Sequence, residues 1–504
     1  MSAAIARIKS HFANWREWEL NPIVIKELRQ GVRSWTVTGM LMLFLVVLFL
    51  ASVGFLVSES FDVNASSDLG GRMFMVFGAI LAGASMVFIP LYTGVRVGAE
   101  RQDNNPDLLY VSTLSPARII AGKFFCSCYI VLLFFSACMP FMAFTNLLRG
   151  VDLPTVFFLL FFLFLVVCGA NMVAIFLACL PMSRPFKFLC MLLALGMAVS
   201  ILVALVAFSY ELMRSGIGSR MAGRDFWIGT MTALCMGAAL VGLFYVLAVA
   251  LISPPSANRA LPVRLYLTAF WMVSGLLSFW WVVKVGESDR ILSWTFPSFA
   301  MLVLALLVTI SNADQFSRRV RRKIPVSAAK RLFAFLFFNG AAGGLVWLVG
   351  IFAVTDLITW LVMAKFPAGA MSEEEKRIFL TLGLYTFAYA LTALFIQRKF
   401  FARRPAKLTG LLAVLLAGGW AVAPAIFLFF ANRLSWSTVE GLQLGNVFNV
   451  CYTRDRSQVV WHELFACGWL VLVLALNARW FVRQWANFKP LPKVVPPALE
   501  EAGP

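Results

Sequence analysis

The stretch Pro154–Leu180 reads PTVFFLLFFLFLVVCGANMVAIFLACL, and it contains no charged side chain. The hydrocarbon core of a bilayer is roughly 30 Å thick, so a helix needs about 20 apolar residues to cross it. A second stretch of this kind, Thr36–Val57, reads TVTGMLMLFLVVLFLASVGFLV. Both stretches therefore predict helices that span a membrane.

The composition extends this prediction to the whole chain. Of its 504 residues, 61% are hydrophobic and 13% are charged, whereas a soluble domain has about 45–50% apolar and about 25% charged residues. These proportions exclude an ordinary cytosolic enzyme, a disordered chain, collagen and a coiled coil. We expect an all-α polytopic membrane protein, a helical bundle with amphipathic interfacial helices at its N-terminus.

Twelve apolar segments are long enough to be transmembrane helices. They lie at about 36–57, 73–95, 123–147, 154–180, 188–209, 227–252, 265–283, 292–312, 332–354, 379–397, 409–430 and 461–482. The sequence leaves open whether residues 355–378 extend the ninth span or lie on the outer surface.

Lys and Arg are unevenly distributed between these segments. With the N-terminus inside, the inner segments hold more than twice as many Lys and Arg as the outer ones, as cytoplasmic loops do. The strongest inner markers are the runs Arg318–Lys323 and Arg398–Arg404. Residues 1–35 are too polar for a signal peptide. We therefore expect a multi-pass protein of the plasma (inner) membrane with both termini in the cytoplasm.

The net charge of +19 would suggest a nucleic-acid partner in a soluble protein. Here the lipid bilayer is the expected partner, because cationic loops lie against anionic lipid. We expect no nucleic-acid partner.

The connecting segments divide the chain into four parts. Residues 1–35 form cytoplasmic amphipathic helices, 36–252 a first half of six spans, 253–482 a second half of six spans, and 483–504 a tail expected to be disordered. None of the connecting segments has the length of an independent domain, about 100–200 residues. Any chemistry must therefore take place in the membrane, in short loops or on a partner.

The segment before the first span has the pattern of two amphipathic helices. Ile5, Ile8, Phe12 and Trp15 recur at helical spacing, as in helices that lie in the membrane interface. Asn21 and Pro22 restart a helix as N-cap and first residue. In this second helix Val24, Leu28, Val32 and Trp35 share one face, and the polar residues are Lys26, Glu27, Arg29, Gln30 and Arg33. Whether these helices only anchor the chain or also transmit force is left open by the pattern.

The inner loop 96–122 contains two further helix starts, Asn105-Pro106 and Ser115-Pro116. The first predicts a short helix over 106–114 that carries Leu108, Leu109 and Tyr110 where water is expected. Such a helix is typical of a segment that docks into a groove on another protein. The alternative is a loop that buries these side chains against its own spans.

These two segments carry a family resemblance. Asn21-Pro22-Ile23 followed by Lys26-Glu27-Leu28-Arg29 resembles the N-terminal signature of ABC-2 type transporter permeases. Their first cytoplasmic loop is similar to the series Glu100-Arg101, Leu108-Leu109, Ser112-Thr113-Leu114-Ser115-Pro116, Ile119 and Gly122-Lys123. The resemblance covers spans 1–6, and residues 102–107 depart from the family pattern.

The resemblance implies that the chain is the membrane subunit of an ABC-2-like transporter. Asn21, Pro22, Lys26, Glu27, Leu28 and Arg29 would then belong to a connecting helix at the membrane surface, and loop 96–122 would contain a coupling helix that contacts a separate ATPase subunit. Glu100 and Arg101 would make charge contacts with the ATPase, and Leu108, Leu109 and Tyr110 would form an apolar plug. Ser115 and Pro116 would form a rigid joint.

The chain is not expected to bind ATP itself. A Walker A sequence is absent, and the nearest fragment, Ala121-Gly122-Lys123, lacks both the upstream Gly and the Ser or Thr that holds Mg²⁺. We expect no catalytic residue, metal or cofactor in this chain, with ATP bound by the separate partner subunit.

Other functions stay open. The chain could be a membrane-embedded enzyme acting on lipid-linked substrates, or an assembly scaffold without transport. Spans 7–12 are either a degenerate second half, which makes the chain a pseudo-dimer, or an appended module in a permease that forms a homodimer. Within or near the spans, Asn171, Asn339 and Asn477 are expected to make hydrogen bonds between helices.

Overall fold

The computed structural model of the chain describes twelve stretches of residues. They are 22–60, 69–102, 115–148, 151–181, 184–215, 223–254, 256–312, 316–366, 373–403, 405–431, 443–450 and 456–491. All regular secondary structure in these stretches is helical. The expected all-α fold is thus confirmed.

Twelve helices in the described stretches are long and apolar enough to cross a bilayer. They are Trp35–Val57, Leu69–Glu100, Pro116–Leu147, Leu153–Cys179, Phe188–Leu212, Phe226–Ile252, Ala260–Val285, Ser288–Ile310, Ala341–Lys365, Lys376–Phe400, Ala406–Phe430 and Gln458–Asn487. The chain is a multi-pass membrane protein, because helices of this length and composition satisfy their backbone hydrogen bonds internally and expose apolar side chains to lipid.

Contacts between helices divide the chain into two compact units, Met1–Pro254 and Pro255–Pro504. The first unit contains eight described α-helices. They are α1 (Pro22–Val32), α2 (Trp35–Ser60), α3 (Leu69–Gly83), α4 (Ile89–Gln102), α5 (Pro116–Leu147), α6 (Leu153–Cys179), α7 (Arg184–Ser215) and α8 (Arg224–Ile252). Its core is formed chiefly by α3, α5 and α6, around Phe77, Phe134 and Val167.

A π-helical turn, Ala84–Phe88, joins α3 to α4 within one span. Pro90 follows it and has no backbone N–H to donate to the carbonyl four residues earlier. A π-helical segment of this kind is rare and occurs mostly as a single turn inside an α-helix. The hydroxyl of Ser85 donates to the Leu81 carbonyl at 2.6 Å at the same place.

The second unit contains nine described α-helices. They are α9 (Ala260–Val285), α10 (Leu292–Ile310), α11 (Arg318–Arg321), α12 (Ala328–Phe337), α13 (Ala341–Lys365), α14 (Glu373–Phe400), α15 (Thr409–Phe430), α16 (Val447–Val450) and α17 (Arg456–Asn487). Short 3₁₀ turns, Ser288–Ile291 and Ala406–Leu408, precede α10 and α15.

The ninth span does not have the predicted bounds. The sequence places it at 332–354, but the structure ends α12 at Phe337 and begins the span at Ala341, after Gly340 with φ 124°. Arg264 stabilises this break: its guanidinium donates to the carbonyls of Leu336 (2.7 Å), Phe338 (2.8 Å) and Gly340 (3.0 Å). Residues 355–365 consequently extend the span. Hydropathy alone did not reveal the break, because apolar residues occur on both sides of it.

Candidate functional site

The helix before the first span, α1, packs on α5 through a narrow face. Glu27 and Gly31 are the buried residues of this face, and a Cβ placed on Gly31 would be 4.0 Å from Ile130 of α5. Val32, in contrast, is largely exposed. Pro22 is the first described residue and is already helical, while Asn21, its predicted N-cap, lies outside the described residues.

Lys123 connects three helices at this place. Its Nζ, in the second turn of α5, donates to Oε1 of Glu27 on α1 at 2.9 Å. It also donates to Oε2 of Glu100, near the end of α4. One ammonium group thus fastens the N-terminal helix to the two helices that flank residues 103–114.

Arg96 completes the group from the preceding turn of α4. Its Nη2 lies 3.4 Å from Oε2 of Glu27 and donates to Oε1 of Gln30 at 2.5 Å. Its Nη1 donates to the hydroxyl of Tyr92 at 2.8 Å. We call Glu27, Arg96, Glu100 and Lys123 the junction.

The junction contains two cations and two anions, so its charges balance. Glu27 is the most deeply buried of the four, with 7% of its side chain exposed. Burial by itself would raise the pKa of its carboxyl, but the ammonium of Lys123 and then the guanidinium of Arg96 hold that pKa below the ordinary value of 4.5. A carboxylate buried this deeply is expected to depend on these partners, because an unpaired buried charge is strongly destabilising.

The start of α5 is fixed by two further contacts. Ser115 is its N-cap, with Oγ accepting from the backbone N–H of Arg118 at 3.4 Å, and Pro116 follows at the first helical position. The hydroxyl of Tyr245, on α8, donates to the carbonyl of Ala117 at 3.0 Å. The helix start predicted from Ser115-Pro116 is therefore confirmed, and it is held against a second span.

The structure brings some of the predicted site residues together and leaves others apart. Glu27 and Glu100 meet at Lys123, whereas Lys26 and Arg29 are exposed on the other side of α1 and Leu28 is half-buried. Arg101 belongs to α4. Asn21, Leu108, Leu109 and Tyr110 lie outside the described residues. As contacts with a partner, all these residues stay predictions.

Sequence reasoning did not assign a role to Lys123 or Arg96. The sequence nevertheless contains a signal, because Arg96 and Lys123 lie at the ends of two consecutive spans, and the neighbouring helices carry Glu27 and Glu100. Ion pairs between such residues avoid the cost of an isolated charge near the membrane. Among the described residues, no group of three His, Cys, Asp or Glu side chains could hold a metal ion.

Comparisons of the chain with protein-family models, curated proteins and solved structures found no match. Its function must therefore be inferred from the motifs around loop 96–122 and from the geometry of the junction.

Proposed function

We propose that this protein is the membrane-spanning permease subunit of an ABC-2-like transporter, driven by a separate ATPase subunit through the loop 96–122. The resemblance of residues 21–29 and 100–123 to the permease signatures supports the family. The apolar Leu108, Leu109 and Tyr110, in a short segment between two spans, support docking onto a soluble partner.

The contact of Lys123 with both Glu27 and Glu100 is the structural observation that best supports the proposal. Glu100 lies near the end of α4 and Lys123 lies in the second turn of α5, so the two helices that flank residues 103–114 and the connecting helix α1 meet in one ion cluster, whose centre, Glu27 and Lys123, is buried. A displacement of the loop is then transmitted to three helices together. Packed helices and networks of ion pairs are elements that carry coupling between distant sites.

In this mechanism the chain performs no covalent chemistry. The ATPase closes on ATP and pushes the segment 106–114, with Leu108, Leu109 and Tyr110 as the docked apolar residues. Ser115-Pro116 gives α5 a fixed start, so the push tilts the helix rather than unwinding it. The junction makes α1 and α4 follow α5, and a path for the cargo opens between spans.

Co-purification tests the proposal. The tagged chain is extracted in mild detergent from the native membrane, and co-purifying proteins are identified by mass spectrometry and assayed for ATP hydrolysis. We expect a protein with a Walker A sequence. The variant Leu109→Asp should lose this protein at least tenfold, because a charge in an apolar groove loses its solvation without gaining a partner.

The matched control is Val326→Asp. Val326 is an exposed apolar residue in the segment before α12, a second segment that the charge pattern places inside. This variant should retain the ATPase at the wild-type amount. Equal loss from both variants, or from neither, contradicts the assignment of the coupling segment.

A further inference from the structure

The second unit contains a polar cavity of about 240 Å³ between α10, α13, α14 and α17. It lies at the end of these helices that the charge pattern places outside. Its polar lining consists of Thr295, Asp356, Thr359, Lys376, Arg377 and Glu463, and the rest of its wall is largely apolar. Polar groups that converge in an apolar cavity are typical of a ligand site.

Asp356 is the unusual member of this lining. It lies within the span Ala341–Lys365, is only partly exposed, and has no hydrogen bond or ion pair with any described residue. One turn further along, the Thr359 hydroxyl lies 2.9 Å from that of Thr295 on α10. A carboxylate within a membrane helix is costly and is generally retained for a functional reason.

Basic side chains border the same cavity. Arg377, at the start of the tenth span, donates through Nη1 to Oε2 of Glu463 at 2.8 Å, and its side chain is 42% exposed. Lys376 precedes it in the chain and also faces the cavity. Because Glu463 occupies one edge of the guanidinium, Arg377 keeps other N–H donors for a ligand.

The lining therefore offers two carboxylates and two cations. A simple anion would be repelled by Asp356 and a simple cation by Lys376 and Arg377. A zwitterion can pair its positive group with Asp356 and its negative group with Lys376 and Arg377. Trp360, which lines the cavity and is half-exposed on the surface of α13, is of the residue type that lies at headgroup depth.

We propose that this cavity binds the headgroup of an aminophospholipid. The primary ammonium lies against Asp356, the phosphate lies against Lys376 and Arg377, and the acyl chains leave past Trp360 into the bilayer. A choline headgroup has no N–H to donate to Asp356, so ethanolamine lipid is preferred. The site does not depend on the proposed ATPase partner.

Native mass spectrometry of the full-length chain in detergent tests the site. The chain is titrated with phosphatidylethanolamine and with phosphatidylcholine of identical acyl chains. We expect wild type to bind the ethanolamine lipid at least fivefold more tightly, and Asp356→Asn to abolish this preference. The control Asp289→Asn makes the same change at an exposed aspartate of the same unit and should leave the preference intact.

Two further measurements test the phosphate contact and the contribution of the acyl chains. Arg377→Gln should weaken both lipids by a similar factor, because both carry the phosphate; unchanged binding by this variant overturns the site even if Asp356→Asn fails to fold. Glycerophosphoethanolamine, which has the headgroup without the acyl chains, should bind at least tenfold more weakly than the lipid. Equal affinity overturns a lipid as the source of the headgroup, and equal binding of both lipids by wild type overturns the site.

Discussion

Asparagines buried in the spans have two opposite environments in this chain. Asn477 of α17 donates to the carbonyls of Leu391 at 3.2 Å and Val473 at 2.7 Å, and its Oδ1 accepts from Arg398. Asn171 of α6 is fully buried, and neither its Nδ2 nor its Oδ1 has a partner among the described residues. The same residue type should therefore stabilise one unit and destabilise the other.

Leucine substitutions should move stability in opposite directions at these two sites. Asn477→Leu removes the hydrogen bonds between α14 and α17 and should lower the free energy of unfolding by about 0.6 kcal/mol for each bond lost. Asn171→Leu removes a buried unsatisfied amide, whose cost is about 1–3 kcal/mol, and should raise the stability. Thermal unfolding of the detergent-solubilised chain, followed by size-exclusion chromatography, measures both. A fall in melting temperature for both variants would contradict this account.

Only part of this residue-scale picture could be predicted. The sequence predicts hydrogen bonds between helices for three asparagines, and the structure confirms this for Asn477. Asn339 lies in the turn before α13 rather than on a helix; its Nδ2 donates to the carbonyl of Ala257 at 3.1 Å, and its Oδ1 accepts from the N–H of Ala260, the first residue of α9, at 2.8 Å. For Asn171 the prediction is wrong, because its amide has no partner among the described residues. A sequence shows where a polar group sits on a helix but not which group lies opposite.

At the scale of single elements, the sequence of α1 likewise predicts the helix but not which of its residues are buried. Its helical conformation was predictable from the spacing of its apolar residues, which include Val32. The structure leaves Val32 and Trp35 exposed and buries Glu27, which the sequence places among the polar residues of the helix. The bundle contacts α1 through a carboxylate, because Lys123 of α5 and Arg96 of α4 supply its partners.

Acid should therefore loosen α1. The pKa of Glu27 is lower in the folded chain than the ordinary value of 4.5, so its ion pairs contribute fully above about that pH. The contribution is lost as the pH falls through the lowered folded-state pKa, since the unfolded chain then binds the proton more readily. The stability difference between wild type and Glu27→Gln should be constant between about pH 7 and pH 5 and should shrink below about pH 4.5.

The measurement is the thermal unfolding of both proteins at a series of pH values. Asp289→Asn is the control, because Asp289 is exposed, and its difference from wild type should stay close to zero throughout. A difference for Glu27→Gln that grows on acidification would show that the Glu27 carboxylate is not stabilised in the folded chain.

For the whole molecule, the number of spans was predictable, whereas some of their ends were not. Twelve apolar stretches in the sequence correspond to twelve helices of sufficient length among the residues that the structure describes. The ninth span begins later than predicted, because the helix is interrupted at Gly340, where Arg264 binds the free carbonyls, inside an apolar region. The short helix expected at 106–114 lies outside the described residues, so the docking segment itself rests on its sequence pattern.

Whether the two proposals are compatible depends on the sides of the membrane on which loop 96–122 and the turn around Asp289 lie. The charge pattern places loop 96–122 inside and the turn around Asp289 outside. Single cysteines at Asp107 and Asp289, in a background whose reactive native cysteines are replaced by serine, report this with a membrane-impermeant maleimide. Asp107→Cys should label in inverted vesicles and Asp289→Cys in intact cells. The reverse pattern would place Leu108–Tyr110 on the side opposite a cytoplasmic ATPase. The ATPase could then not displace the segment 106–114, and the proposed role of the junction would be wrong.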